Sequence, residues 1–172
     1  MSPAERREQR STVDDPEVVL AAALRFLEAR PRSATEVRRR LTEAGYREEL
    51  VTRAIERLAE LGVLDDAAFA RAWVESRDRA RPRGERALRS ELARKGIDRQ
   101  LADDVLEERA IDQPDADAAA ARRVLERHAH ALARVADPRA RRQRAYALLA
   151  RNGFDSETAV EVIAATLMRA PD

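Results

Sequence analysis

His128 and His130 are the natural place to look for metal or acid–base chemistry, and their spacing argues against it. Two positions along a helix diverge by about 200°, whereas a metal-ligating pair needs a separation of three or four. Two surface histidines are the expectation. The acidic doublets Asp65-Asp66 and Asp103-Asp104 could attract a cation, but helix starts and solvated faces explain them more simply. The five glycines, Gly45, Gly62, Gly84, Gly96 and Gly153, are not spaced as a phosphate-cradling loop. There is no cysteine, hence no thiolate ligand, thiol nucleophile or disulfide. Phe69 and Trp73, one helical turn apart, could stack on bases, although that spacing belongs more often to a helix core. These residues predict no catalysis, no cofactor and no metal.

The remaining chemistry is charge. Globally it cancels, 33 basic against 32 acidic residues for a net +1, so no argument for an anionic partner can rest on the total. Locally it does not cancel. Residues 30–40 carry five basic and one acidic side chain, 71–99 ten and five, and 134–151 six and one, whereas 43–66 carry three and seven and 98–117 two and eight. Helix dipoles account for part of the pattern, favouring cations at helix ends and anions at helix starts by about 0.3–1 kcal/mol each. They do not account for Arg32, Arg83, Arg139 or Arg141, which fall where a helix begins. Either an acidic neighbour in the fold or an external anionic partner is needed there.

These charges must be positioned by helices. Ala, Leu, Glu and Arg dominate, and no period-two run of β-branched residues is present. Pro16, Pro114 and Pro138 follow Asp15, Gln113 and Asp137, as prolines in a first helical turn would. One phrase recurs three times: LTEAGYREELVTRAI from Leu41, LARKGIDRQLADDVL from Leu92 and LARNGFDSETAVEVI from Leu149. In each, Gly follows Leu by four residues and precedes a bulky apolar residue, Tyr46, Ile97 or Phe154. That is a helix stop with glycine in the left-handed conformation and the next side chain packed back on the leucine. A further helix then opens, capped by Asp98 and Asp155 in two copies, and Val37, Leu88 and Ala145 lie one turn before each leucine. An additional helix precedes each pair, over roughly 16–30, 66–80 and 114–135.

The fold class is therefore all-α, a tandem array of three three-helix, helix-turn-helix-like repeats with nine helices. The expected boundaries are a disordered N-terminal arm at 1–14 and repeats at 15–63, 64–112 and 113–170. The arm is polar, without the apolar core of a signal peptide, and no run approaches membrane-spanning length, which predicts a cytoplasmic protein. Stacked repeats would align their basic junctions into one stripe along an elongated body. An alternative reads residues 34–64 as a helix-turn-helix acting by direct single-stranded or operator DNA binding. A winged version needs a hairpin next, but DDAAFARAWVESR is helical in pattern.

Around LGVLDDAAFARAWVESRDRARPRGERALRSELARKGIDRQLADDVLEE the chain resembles the RecX family of bacterial regulators of the recombinase RecA. The residues carrying the likeness are Leu64-Asp65-Asp66, Phe69-Ala70, Trp73, Arg77, Pro82-Arg83-Gly84, Leu88, Leu92 and Lys95-Gly96-Ile97. It is strongest over 60–108 and thins in the third repeat to AYALLARNGF. The chain departs from the pattern in the longer, Ala-rich IDQPDADAAAARRVLERHAHALARV. The resemblance implies an elongated, curved array that binds the groove of the RecA filament on DNA, inhibits its ATP hydrolysis and strand exchange, binds DNA weakly and has no catalytic residues. It implies a monomeric regulator in recombinational repair and the SOS response. Joined to the charge pattern, it nominates Arg81, Arg83, Arg86, Arg89 and Lys95 as the central contact, extended by Arg32, Arg38, Arg139 and Arg142.

Overall fold

The computed structural model describes residues 2–167. The expected end of the third repeat, at 170, lies outside the described residues. The elements are α1 (Pro3–Ser11), α2 (Pro16–Glu28), α3 (Ala34–Ala44), α4 (Glu48–Glu60), α5 (Asp66–Ala80), α6 (Glu85–Arg94), α7 (Arg99–Asp112), α8 (Ala116–Arg127), α9 (Ala129–Ala133), α10 (Pro138–Arg151) and α11 (Ser156–Leu167). No strand occurs among the described residues, so no wing follows the first helix-turn-helix. Among them no helix is long and apolar enough to cross a membrane.

Two compact units result. One comprises residues up to Ala70 together with Arg94–Ile97; the other comprises Arg71–Ala93 together with the chain from Asp98. The division falls inside α5, so the residues of the second repeat are shared between the units. In the first unit α2 packs on α3 and α4, burying Val19, Ala23, Val37, Leu41, Val51 and Leu58. These positions recur every three or four residues, the stripe of a half-buried helix. In the second, α8, α10 and α11 bury Val124, Leu125, Ala145, Leu149, Phe154 and Val162, and Leu88 and Leu92 of α6 are fully enclosed.

The glycine stops form as the repeat predicts. Gly45, Gly96 and Gly153 have φ of 104°, 75° and 86°. Tyr46 N–H donates to the Leu41 carbonyl at 3.3 Å and Phe154 N–H to that of Leu149 at 3.2 Å, each pair closing the ring that terminates a helix. Asp98 caps α7 by accepting from Gln100 N–H at 2.9 Å, and Asp155 caps α11 by accepting from Thr158 N–H at 2.9 Å.

Each stop is also a docking point, which the pattern alone does not reveal. The carbonyl before the glycine accepts from an earlier segment of the chain. Lys95 O takes the Ser33 hydroxyl at 2.5 Å, Asn152 O takes Gly84 N–H at 3.0 Å, and Ala44 O takes Arg10 Nη1 at 3.5 Å. A Cβ on Gly96 would stand 2.3 Å from Thr35 Cβ, one on Gly153 2.4 Å from Ala87 Cβ, and one on Gly45 2.6 Å from the Arg7 carbonyl. The motif thus demands glycine for the conformation and again for the space.

Three expectations require correction. The N-terminal arm is not disordered: Ser2 and Glu5 form a reciprocal capping box, with Pro3 in the first turn, and start α1. α1 buries no side chain of its own and lies on α3. Pro114 does not open a helix; it sits in a turn, and α8 starts at Ala116. The long first helix of the third repeat is broken at His128. There the imidazole Nδ1 donates to the Val124 carbonyl at 2.9 Å while His128 N–H turns to Leu125 O at 3.0 Å. The ring takes the acceptor that the helical ladder would have used. With α1 and this break, the helices number eleven where nine were expected.

Candidate partner-binding face

The nine nominated cations separate into two groups. Five are engaged within the chain. Lys95 Nζ donates to Glu36 Oε1 at 2.9 Å, and Glu36 is buried. Burial acts to raise the Glu36 carboxyl; the Lys95 ammonium and Ser33 N–H outweigh it and hold the group below its ordinary value. Arg89 donates to Asp103 at 2.6 Å and to Glu85 at 2.7 Å. Hydrogen bonding to Arg89 lowers the Asp103 carboxyl, and the same bonds raise the guanidinium. Arg38 pairs with Glu48 and donates to Thr52 at 2.9 Å. Arg83 reaches Glu91 at 3.7 Å and donates to the Asn152 side chain. Arg32 lies over the Phe26 ring, 4.5 Å from its centroid, with its Nε buried and unbonded among the described residues. For Arg83 the acidic neighbour in the fold is Glu91; for Arg32 an aromatic ring takes that place.

The other four, Arg81, Arg86, Arg139 and Arg142, are exposed, and their side chains have no carboxylate partner among the described residues. All belong to the second unit. Arg81 and Arg86 flank the start of α6, where Arg86 N–H donates to Gly153 O at 3.2 Å. Arg139 and Arg142 open α10, whose first turn Asp137 caps by accepting from Arg139 and Ala140 N–H at 3.1 Å. Arg141 is tied down by donating to the Val135 carbonyl at 3.0 Å.

The residues weighed for other chemistry are also placed. Phe69 is buried, and Trp73 is half-buried with its indole N–H on Glu91 at 2.9 Å and Arg77 over its ring at 4.3 Å. Its indole N–H and one face of its ring are therefore engaged within the chain. Asp65 caps Ala68 N–H at 2.9 Å, Asp66 accepts from Ala34 N–H at 2.8 Å, and Asp104 accepts from Gln100 at 2.8 Å. Both histidines are exposed.

Sequence reasoning missed one half-buried charge cluster. Arg109, only 8% exposed, donates to Asp78 at 2.8 and 2.9 Å and to Asp117 at 2.7 Å, joining α5, α7 and α8. Burial would lower this guanidinium; its two carboxylates more than compensate and raise it. The only local sign was an arginine in the middle of the acidic run from Asp103 to Asp117.

Tandem three-helix repeats carrying charge on their surfaces define a class, the all-α repeat proteins. Comparison with known proteins makes the class particular. The first, second and third three-helix domains of RecX match residues 20–58, 65–106 and 115–163. The chain is 36% identical to the regulatory protein RecX of Mycobacterium sp. (strain JLS) over 155 residues, 86% of this chain and 80% of the relative. It is 36% identical to that of Mycobacterium tuberculosis (strain ATCC 25177 / H37Ra) over 163 residues, 91% and 90% of the two chains. The crystal structure of RecX from Lactobacillus salivarius shares the fold with a TM-score of 0.76 at 21% identity, covering 90% of this chain and 98% of that one. The chain belongs to the RecX family, the regulators of the recombinase RecA.

Proposed function

We propose that this protein acts in the cytoplasm as a monomer, binds the RecA nucleoprotein filament and inhibits its ATP hydrolysis and strand exchange during recombinational repair and the SOS response. The observation that carries the contact assignment is the separation of paired from unpaired cations. Arg81, Arg86, Arg139 and Arg142 are exposed and have no carboxylate partner among the described residues, so they can meet acidic protein surface or phosphate without first breaking a pair within that part of the chain. Arg32, Arg38, Arg83, Arg89 and Lys95 serve the fold, and their part in binding is indirect.

The test is inhibition of RecA ATPase on single-stranded DNA by Arg81→Glu/Arg86→Glu and by Arg139→Glu/Arg142→Glu. Loss of inhibition with unchanged far-UV circular dichroism supports the assignment; full inhibition by both folded variants rejects it. Direct binding to single-stranded DNA is a second reading, because exposed guanidiniums suit phosphates equally well. Affinity for bare and RecA-coated DNA, compared at one salt concentration, separates the two. Displaced counterions would give bare-strand binding a log–log salt slope of about −0.7 per phosphate contacted.

A further inference from the structure

The three repeats provide an internal control for one surface, the groove between the second and third helix of each. Seven residues before the repeat glycine stand Arg38, Arg89 and Tyr146; seven after it stand Thr52, Asp103 and Val160. In the first repeat Arg38 bridges to Thr52 at 2.9 Å, and in the second Arg89 bridges to Asp103 at 2.6 Å. A polar clasp thus crosses the groove in both. In the third repeat the clasp is gone: Tyr146 and Val160 face solvent at 41% and 60% exposure. Between α10 and α11 an open groove of about 460 Å³ remains, floored by Ile163 and extended by Leu167.

The charge changes with it. Arg89 in the second repeat is held by two carboxylates, Glu85 and Asp103. The positions equivalent to those carboxylates in the third repeat hold Arg142 and Val160. Among the described residues the groove walls contain Arg141 and Arg142 and no acidic residue. An apolar cleft with a cationic rim and no anion among the described residues calls for two things, an apolar side chain to fill it and a carboxylate to meet the rim. Exposed apolar surface bordered by charge in this way marks an interaction site.

We propose that the α10–α11 groove is a docking site for a peptide segment of a protein partner in which apolar residues are flanked by carboxylates. The apolar side chains lie on Tyr146, Val160 and Ile163, and the carboxylates meet Arg142. This does not rest on the contact assignment made for RecA, and it is read without RecA present.

The probe is a fluorescein-labelled, end-blocked peptide Asp-Glu-Leu-Phe-Glu-Asp, titrated with the full chain by fluorescence anisotropy. Two control peptides replace Leu-Phe by Ser-Ser or every acidic residue by Lys. The decisive variant, Tyr146→Arg/Val160→Asp, installs the clasp of the second repeat at two exposed positions. The probe is expected to bind about tenfold or more tightly than either control, the effect of burying about one apolar side chain. The clasped variant, with helical content intact, is expected to lose about tenfold, and Arg142→Gln to weaken binding more at low salt than at high salt. Absence of probe binding, equal binding of the Ser-Ser control, or undiminished binding by the clasped variant overturns the proposal. So does binding seen only with a chain ending at Leu167, which would assign the groove to residues 168–172. A dimer dispersed by the clasped variant would assign it to a second copy of this chain and equally overturn it.

Discussion

Replacing Gly96 by Ala tests whether the repeat glycine is held by conformation alone or also by space. Gly96 and Gly62 belong to the same unit, and both have positive φ, 75° and 67°. A Cβ at Gly62 would meet nothing within 4 Å, whereas one at Gly96 would stand 2.3 Å from Thr35 Cβ. The left-handed conformation costs an L-residue about 1–2 kcal/mol, and the loss of unfolded-state freedom returns about 0.4–1 kcal/mol. Gly62→Ala should therefore cost about 1 kcal/mol. Gly96→Ala adds the overlap with Thr35, about 1–3 kcal/mol for overpacking, for a total of about 2–4 kcal/mol. With a urea m-value of about 2 kcal/mol/M, the midpoints fall by about 0.5 M and about 1–2 M respectively. Far-UV circular dichroism reads both. The cycle closes with Thr35→Gly, which removes the obstructing atom; on that background Gly96→Ala should cost no more than Gly62→Ala. An unchanged cost for Gly96→Ala on the Thr35→Gly background would refute the steric argument, leaving only backbone strain.

Further outcomes follow from the charges. Lys95→Met leaves Glu36 buried without its cation and should destabilise by about 3 kcal/mol, the lower end for breaking an enclosed pair because the lysine is partly solvated. The Glu36 carboxyl is lowered in the folded state, so between its folded and ordinary values the unfolded chain binds the extra proton. The pair's contribution is complete above the ordinary value of 4.5 and disappears as pH falls through the depressed one. An acid titration followed by circular dichroism should show Lys95→Met unfolding at higher pH than the parent. Arg109→Met strands Asp78 and Asp117 together and should cost about 3–5 kcal/mol in urea unfolding, while Glu108→Gln, on an exposed pair with Arg71, should lower the urea midpoint far less. Deleting residues 2–12 removes a helix that buries no side chain and should leave the urea midpoint within about 0.5 M of the parent.

What could be read from the chain was local. Helix stops at Gly45, Gly96 and Gly153 and caps at Asp15, Asp98, Asp137 and Asp155 need only a few neighbouring residues to specify them, and all formed. The capping box at Ser2 and Glu5 is equally local and was legible in SPAE, but the polarity of the segment obscured it. Lys95 finds Glu36 59 residues away, and Arg83 finds Asn152 69 away. Counting charges in a window cannot identify such partners, so five of nine nominated cations proved to be engaged within the chain. The break at His128 was hidden for another reason. A side chain competing for a backbone carbonyl leaves no trace in hydrophobic periodicity.

The repeated glycine explains why modules this small can be joined at all. A three-helix unit with few large side chains buries little on its own, so its neighbours must add specific contacts. The chain concentrates them where a helix has just ended and its last carbonyls are free. Lys95 O and Asn152 O accept from Ser33 and Gly84, residues at equivalent positions one repeat earlier, the first through a side chain and the second through the backbone. In the first repeat Arg10 of α1 supplies the donor to Ala44 O, and its guanidinium also lies 5.8 Å from the centroid of the Tyr46 ring. α1 therefore serves the first stop as an earlier repeat serves the other two. Gly84 shows the same economy from the other side of the contact. A Cβ there would stand 2.5 Å from the Gly153 carbonyl carbon, so two glycines lie against each other beside the bond from Gly84 N–H to Asn152 O, and a side chain on Gly84 would obstruct it.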